Sequence, residues 1–112
     1  MEVIPRPAPF GSATRTRALV LLQLLGSSYA RELARLLGVS VSVAQKALAS
    51  LERDDLVAAQ AVGRTRVYRL NPRYFARGEL EAYLRRLVAA FPDLDAAATR
   101  LRRRPRKAGK PL

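Results

Sequence analysis

The chain of 112 residues contains neither cysteine nor histidine. Disulfides, thiol nucleophiles, imidazole acid–base catalysis and the usual zinc or copper ligand sets are thereby excluded. The absence of cysteine agrees with a reducing compartment, and a cytoplasmic location is expected. Long apolar runs are also missing. None exceeds Ala18 to Leu22, which reaches Leu25 only through Gln23, whereas a bilayer span needs about 20 apolar residues. The opening MEVIPRPAPF has three prolines and no apolar signal segment, so neither export nor a membrane is expected. Acidic residues are scarce as well. Nine Asp and Glu stand against 21 Lys and Arg, a net charge of +12. Such an excess points to nucleic acid or an anionic surface, the plainer alternative being solubility alone.

What is present suits one globular domain with a modest core, since 49% of the residues are hydrophobic. Residues 1–12 are rich in proline and read as an extended arm, with Phe10 placed to dock on the body. Residues 13–91 read as the folded domain, and 92–112 as a basic, flexible tail. The last stretch, RLRRRPRKAGKPL, holds seven basic residues and no acid.

Within the domain, a first helix is expected over about Thr14 to Leu25, capped by Ser12 or Thr14 and ended by Gly26. Its apolar positions run nearly all the way round, more than one small core readily covers, which suggests a partner surface. A second helix, about Tyr29 to Leu37, would be capped by Ser27 or Ser28, and a third, about Val41 to Arg53, by Ser40. Between them Gly38 can end a helix at positive φ, and Val39 can plug the turn. Leu56 to Val62 and Thr65 to Leu70 read as strands joined by Gly63-Arg64, a hairpin signal, with Asn71-Pro72 closing the second. A last helix, about Gly78 to Ala90, carries Leu80, Tyr83, Leu84, Leu87, Val88 and Phe91 as one stripe at helical spacing. Asp93 and Asp95 read as caps of a following helical turn rather than metal ligands.

The third helix places Ala44, Ala47, Leu48 and Leu51 inward, leaving Ser42, Lys46, Ala49 and Arg53 on the opposite face with Gln45 beside them. In a major groove Gln45 could pair with adenine and Lys46 with guanine or a phosphate, while Ala49 leaves room for a thymine methyl. An ordinary solvated helix face is the competing reading.

The order of three helices and a hairpin is that of a winged helix. The segments ARELARLLGVSVSVAQKALASLERDDLV and GRTRVYRLNPR, with FGSATRTRALVLLQLL before them, resemble the ArsR-type winged helix-turn-helix transcriptional regulators of bacteria and archaea. The resemblance covers residues 10 to about 90. It implies a mainly α fold: three helices, a small β-hairpin wing and a C-terminal dimerisation helix. It also implies binding of double-stranded DNA through Ser40, Ser42, Gln45, Lys46, Ala49 and Arg53 on the reading helix and Arg64 and Arg66 on the wing. Arg69 is a weaker wing candidate, and a solvated strand edge is the plainer reading of all three wing arginines. Metal-sensing members of the group use cysteine and histidine, absent here. Asp54-Asp55 replaces a small residue and glycine usual before the wing, and both aspartates are expected to face away from the groove. No nucleophile with a partnering base is evident, so neither enzymatic activity nor a cofactor is expected.

The leading expectation is a homodimeric, sequence-specific regulator, most simply a repressor, pairing through its first and last helices. A protein-docking adaptor and a non-specific architectural nucleic-acid binder are the alternatives. The salt dependence of binding to specific and random duplexes separates them.

Overall fold

The computed structural model describes residues 8–103. The central element is α1 (Ala13–Leu25). The Ser12 hydroxyl accepts the Arg15 N–H at 3.1 Å, and Gly26, at a φ of 86°, closes the helix by donating to the Leu22 carbonyl. Ahead of it Phe10 packs on the core, its ring 5.9 Å from that of Tyr83.

The all-round apolarity of α1 has a different cause from the partner surface expected of it. Ala18, Leu19, Val20, Leu21 and Leu22 are each no more than 1% exposed within the single chain. Helices pack on α1 from several sides and β3 closes another, so most of its apolar surface is already covered, with Leu24 and Leu25 partly buried. The last amphipathic stripe behaves likewise. In α4 (Arg77–Leu87), Leu80, Leu84 and Leu87 are buried, leaving Tyr83 half exposed. A short 3-10 turn, Val88–Ala90, follows and seats Phe91 in the core.

Part of the cover comes from residues expected to be tail. Pro92–Arg103 form α5, whose Leu94 and Ala98, one helical turn apart, are buried against α1. Asp93 and Asp95 occupy its first turn, where the helix dipole favours anions, and Asp93 accepts from Arg17 at 3.1 Å. Apolar spacing thus outweighs the basic composition of this stretch. Residues 104–112 of the expected tail lie outside the described residues, as do residues 1–7 of the arm.

The sheet has three strands in the order β1-β3-β2 rather than a hairpin alone. β2 (Val57–Val62) and β3 (Thr65–Leu70) pair antiparallel with Val62 opposite Thr65, so Gly63-Arg64 is the two-residue connection, with Gly63 at a φ of 63°. The additional strand, β1 (Ser28–Tyr29), pairs with β3 through Ser28–Tyr68 and Tyr29–Val67. This pairing corrects the expected cap of α2 (Ala30–Leu37). Ser28 is committed to the sheet and its hydroxyl donates to Glu32 at 2.6 Å, while Tyr29 holds the cap position with no side-chain cap bond.

Between α2 and α3 (Val41–Arg53) the turn forms as its residues demand. Gly38 is left-handed, the Val39 N–H returns to the Ala34 carbonyl at 3.0 Å, and the Ser40 hydroxyl accepts from the Val43 N–H at 3.1 Å. Leu33, Leu48 and Leu51 are fully buried between these helices and α1.

Candidate nucleic-acid interface

The inward face of α3 is Ala44, Ala47, Leu48 and Leu51, all buried. The remaining face is therefore presented to solvent by the packing of the core. Ser40, Ser42, Gln45, Lys46, Ala49 and Arg53 are all exposed. Ser42, Lys46, Ala49 and Arg53 follow one another at helical spacing along the middle of that face. The side chains of Ser42, Gln45, Lys46 and Arg53 form no hydrogen bond or ion pair with other described residues. Ser40 differs, because its hydroxyl is the acceptor that caps the helix.

Gln45 sits apart from that line, on the flank turned toward the wing. It lines a cleft of about 380 Å³ with Tyr29, Arg31, Arg64, Arg66 and Tyr68. Arg64 stands at the hairpin tip, exposed and without a side-chain partner among the described residues. Arg66 is held differently. Its guanidinium donates to Glu52 of α3 at 2.8 Å and lies 5.8 Å from the centre of the Tyr68 ring. Glu52, and after it Tyr68, raise the Arg66 pKa above its ordinary value. Arg69, next to Tyr68 in the strand, points to the other side of the sheet and borders a separate cleft with Leu22, Leu70, Pro72 and Arg77.

Three exposed residues near this face are absent from the sequence-based set. Tyr29 and Arg31 reach the cleft because β1 adds to β3 beside the start of α2. Val43, 42% exposed, occupies the flank of α3 away from Gln45. Val43 could have been read from helical spacing, being an apolar residue outside the inward stripe. Tyr29 and Arg31 carried no such signal, since their position depends on strand pairing.

The aspartates at the end of α3 are both exposed and tied to the body, one through its side chain and the other through its backbone. Asp54 accepts from Arg15 at 2.8 Å. Asp55 adopts a φ of 63°, the role expected of glycine, and the Leu56 N–H then returns to the Leu51 carbonyl at 3.0 Å.

Among solved structures, the chain is similar to a glutamate-to-alanine mutant of Lactococcus lactis ZitR, with a TM-score of 0.61 and 16% identity over 88% of this chain and 66% of that one. A double mutant of ZitR in its apo form, with one cysteine and one histidine changed to alanine, gives a TM-score of 0.54 at 15% identity, over 80% of this chain and 65% of that one. The adhesin competence repressor AdcR of Streptococcus pyogenes gives a TM-score of 0.51 at 20% identity, covering 82% of this chain and 80% of AdcR. The fold is a winged helix-turn-helix. In this winged helix-turn-helix α2 and α3 form the helix pair, and β2 and β3 the wing. The likenesses carry the fold and not the ArsR type in particular. The chain spans just under two-thirds of the length of the two ZitR chains. No family model and no curated protein matches the chain. Among the described residues no helix is long and apolar enough to cross a membrane.

Proposed function

We propose that the chain is a transcriptional regulator of the ArsR-like kind that binds double-stranded DNA sequence-specifically, most simply a repressor that occludes its site. The supporting observation is the outward face of α3: Ser42, Lys46 and Arg53, with Gln45 beside them, are exposed and engage no other described side chain. A helix laid in the major groove needs uncommitted donors and cations on a rigid face, with small residues where base edges come close, and Ala49 meets that second need. The net charge of +12 supplies the sequence-independent attraction that such readers share.

The reading includes a homodimer, whose two α3 helices meet half-sites about one helical turn apart on pseudo-palindromic DNA. The dimer does not rest on an uncovered α1, whose residues Ala18 to Leu22 are buried within one chain. Sedimentation of the protein alone and on a selected duplex gives the stoichiometry, and a single protomer on each duplex would remove the dimer from the reading.

Selection of bound sequences from a random duplex pool tests the central claim. A recovered motif bound more tightly than its scrambled version supports it. Equal, steeply salt-dependent binding of both would instead make the protein a non-specific nucleic-acid binder, and no binding would favour a protein-docking role.

A further inference from the structure

The cleft between α3 and the wing is lined by three arginines from three different elements: Arg31 from α2, Arg64 from the hairpin tip and Arg66 from β3. Arg31 and Arg64 have no side-chain hydrogen bond or ion pair among the described residues. Tyr29 and Tyr68 form part of the wall, and Thr65 and Gln45 add neutral polar groups. Three cations around about 380 Å³ of open space repel one another and invite an anion. The nearby carboxylate is Glu52, which does not line the cleft but holds Arg66 from its α3 side at 2.8 Å. Arg66 keeps more than half of its side-chain surface exposed in that pair.

We propose that this cleft seats one backbone phosphate of the DNA strand passing between the reading helix and the wing, and that Glu52 is its internal competitor for Arg66. The proposal rests on the DNA-binding reading above and adds to it a defined phosphate seat with an acidic counterweight. A phosphate oxygen has the same charge sign and acceptor chemistry as a carboxylate oxygen, so it can take the place of Glu52 on the guanidinium. Arg64 and Arg31 then close on the phosphate from the tip and from α2. Glu52 restrains this exchange on any duplex, because the phosphate carries no sequence information. Its effect is on affinity and salt response, while readout stays with the outward face of α3.

The test is fluorescence anisotropy of the full chain on its selected duplex and a scrambled one at several salt concentrations, with thermal melting to confirm that each variant is folded. Glu52→Gln removes the competing charge and keeps the shape. It should tighten binding to both duplexes, roughly two- to five-fold for the loss of one exposed competing ion pair, and steepen the slope of log affinity against log salt by well under the roughly 0.9 of an added phosphate, because the same phosphate is neutralised in both chains and only the screened pair is lost. In Glu52→Gln/Arg66→Gln the gain should disappear, leaving the affinity of Arg66→Gln alone. Arg31→Gln should flatten the salt slope by about 0.9 on both duplexes. Unchanged or weaker binding by Glu52→Gln overturns the proposal, as does a gain that persists when Arg66 is also replaced. An unaltered slope in Arg31→Gln removes α2 from the seat and overturns the cleft as described. If the wild-type chain binds neither duplex, the DNA-binding reading itself fails, an outcome distinct from wild-type binding that Glu52→Gln leaves unimproved.

Discussion

The Asn71 side-chain amide donates a 2.9 Å hydrogen bond to the carbonyl of Asp55, and Asp55 is the one described residue other than glycine with a positive φ. The Asn71 N–H also donates to the Leu56 carbonyl at 3.0 Å, and its side-chain oxygen accepts from the Arg73 N–H at 3.0 Å. One residue at the foot of the wing therefore holds the chain reversal that ends α3. Asp is among the few side chains that tolerate the left-handed region.

Asp55 should consequently be replaceable by glycine but not by a β-branched residue. Asp55→Gly should change stability by no more than about 1 kcal/mol, since relief of strain is offset by added freedom in the unfolded chain. Asp55→Val should cost roughly 1–2 kcal/mol. Asn71→Ala, losing two side-chain hydrogen bonds, should cost about 1–2 kcal/mol. Urea midpoints at constant m-value rank the three, and equal midpoints for the Gly and Val variants would refute the strain argument.

Arg15 makes the corresponding tie at the other side of α3. It donates to the Phe10 carbonyl at 2.6 Å, to the Ser50 hydroxyl and to Asp54 at 2.8 Å. Because its side chain is 18% exposed, Arg15→Ala leaves the part-buried Phe10 carbonyl and Ser50 hydroxyl without their donor and should cost about 1–3 kcal/mol. Arg77→Ala, which breaks only an exposed pair with Glu81 one turn along α4, should cost no more than about 0.5 kcal/mol. Thermal melting of the two variants side by side checks the contrast.

α5 belongs to the core, so its loss should be felt in folding. Leu94→Ala, at a residue 1% exposed, should destabilise by roughly 2–5 kcal/mol. Deleting residues 104–112 should leave the unfolding midpoint nearly unchanged, whereas ending the chain after Phe91 should lower it sharply. Equal stability of the two truncated chains would contradict the packing of α5 on α1.

Readout and attraction should separate by position. Residues 104–112 carry Arg104, Arg106, Lys107 and Lys110 without an acidic residue. Deleting them should weaken binding to specific and scrambled duplexes alike and flatten the salt slope. Lys46→Ala and Gln45→Ala should lower the preference for the specific duplex, by roughly 1–3 kcal/mol where the side chain makes a bidentate base contact. Arg64→Ala should lose affinity broadly, with a further effect at A·T-rich flanks. Anisotropy on both duplexes measures all four variants. Loss of preference on deletion of residues 104–112, with the α3 variants unaffected, would show that α3 is not the reader.

Local chemistry made much of this protein legible in its sequence. Gly38 and Ser40 define the turn between α2 and α3, Gly63-Arg64 the hairpin, and the spacing of Ala44, Ala47, Leu48 and Leu51 the inward face of α3. Each depends on contacts within a few residues, where backbone freedom and helical periodicity decide the outcome. The tertiary structure alone decided the rest. Whether the apolar rim of α1 is a core or a partner surface depends on what else covers it, and α5, hidden in a basic stretch, supplies part of that cover. The partner of Arg66 depends on strand β3 lying beside α3, which brings together residues 14 positions apart. Tyr29 and Arg31 enter the cleft only because a two-residue strand adds to the sheet nearly 40 positions along the chain. Such pairings are set by the shape of the assembled core, to which no local pattern of side chains gives access.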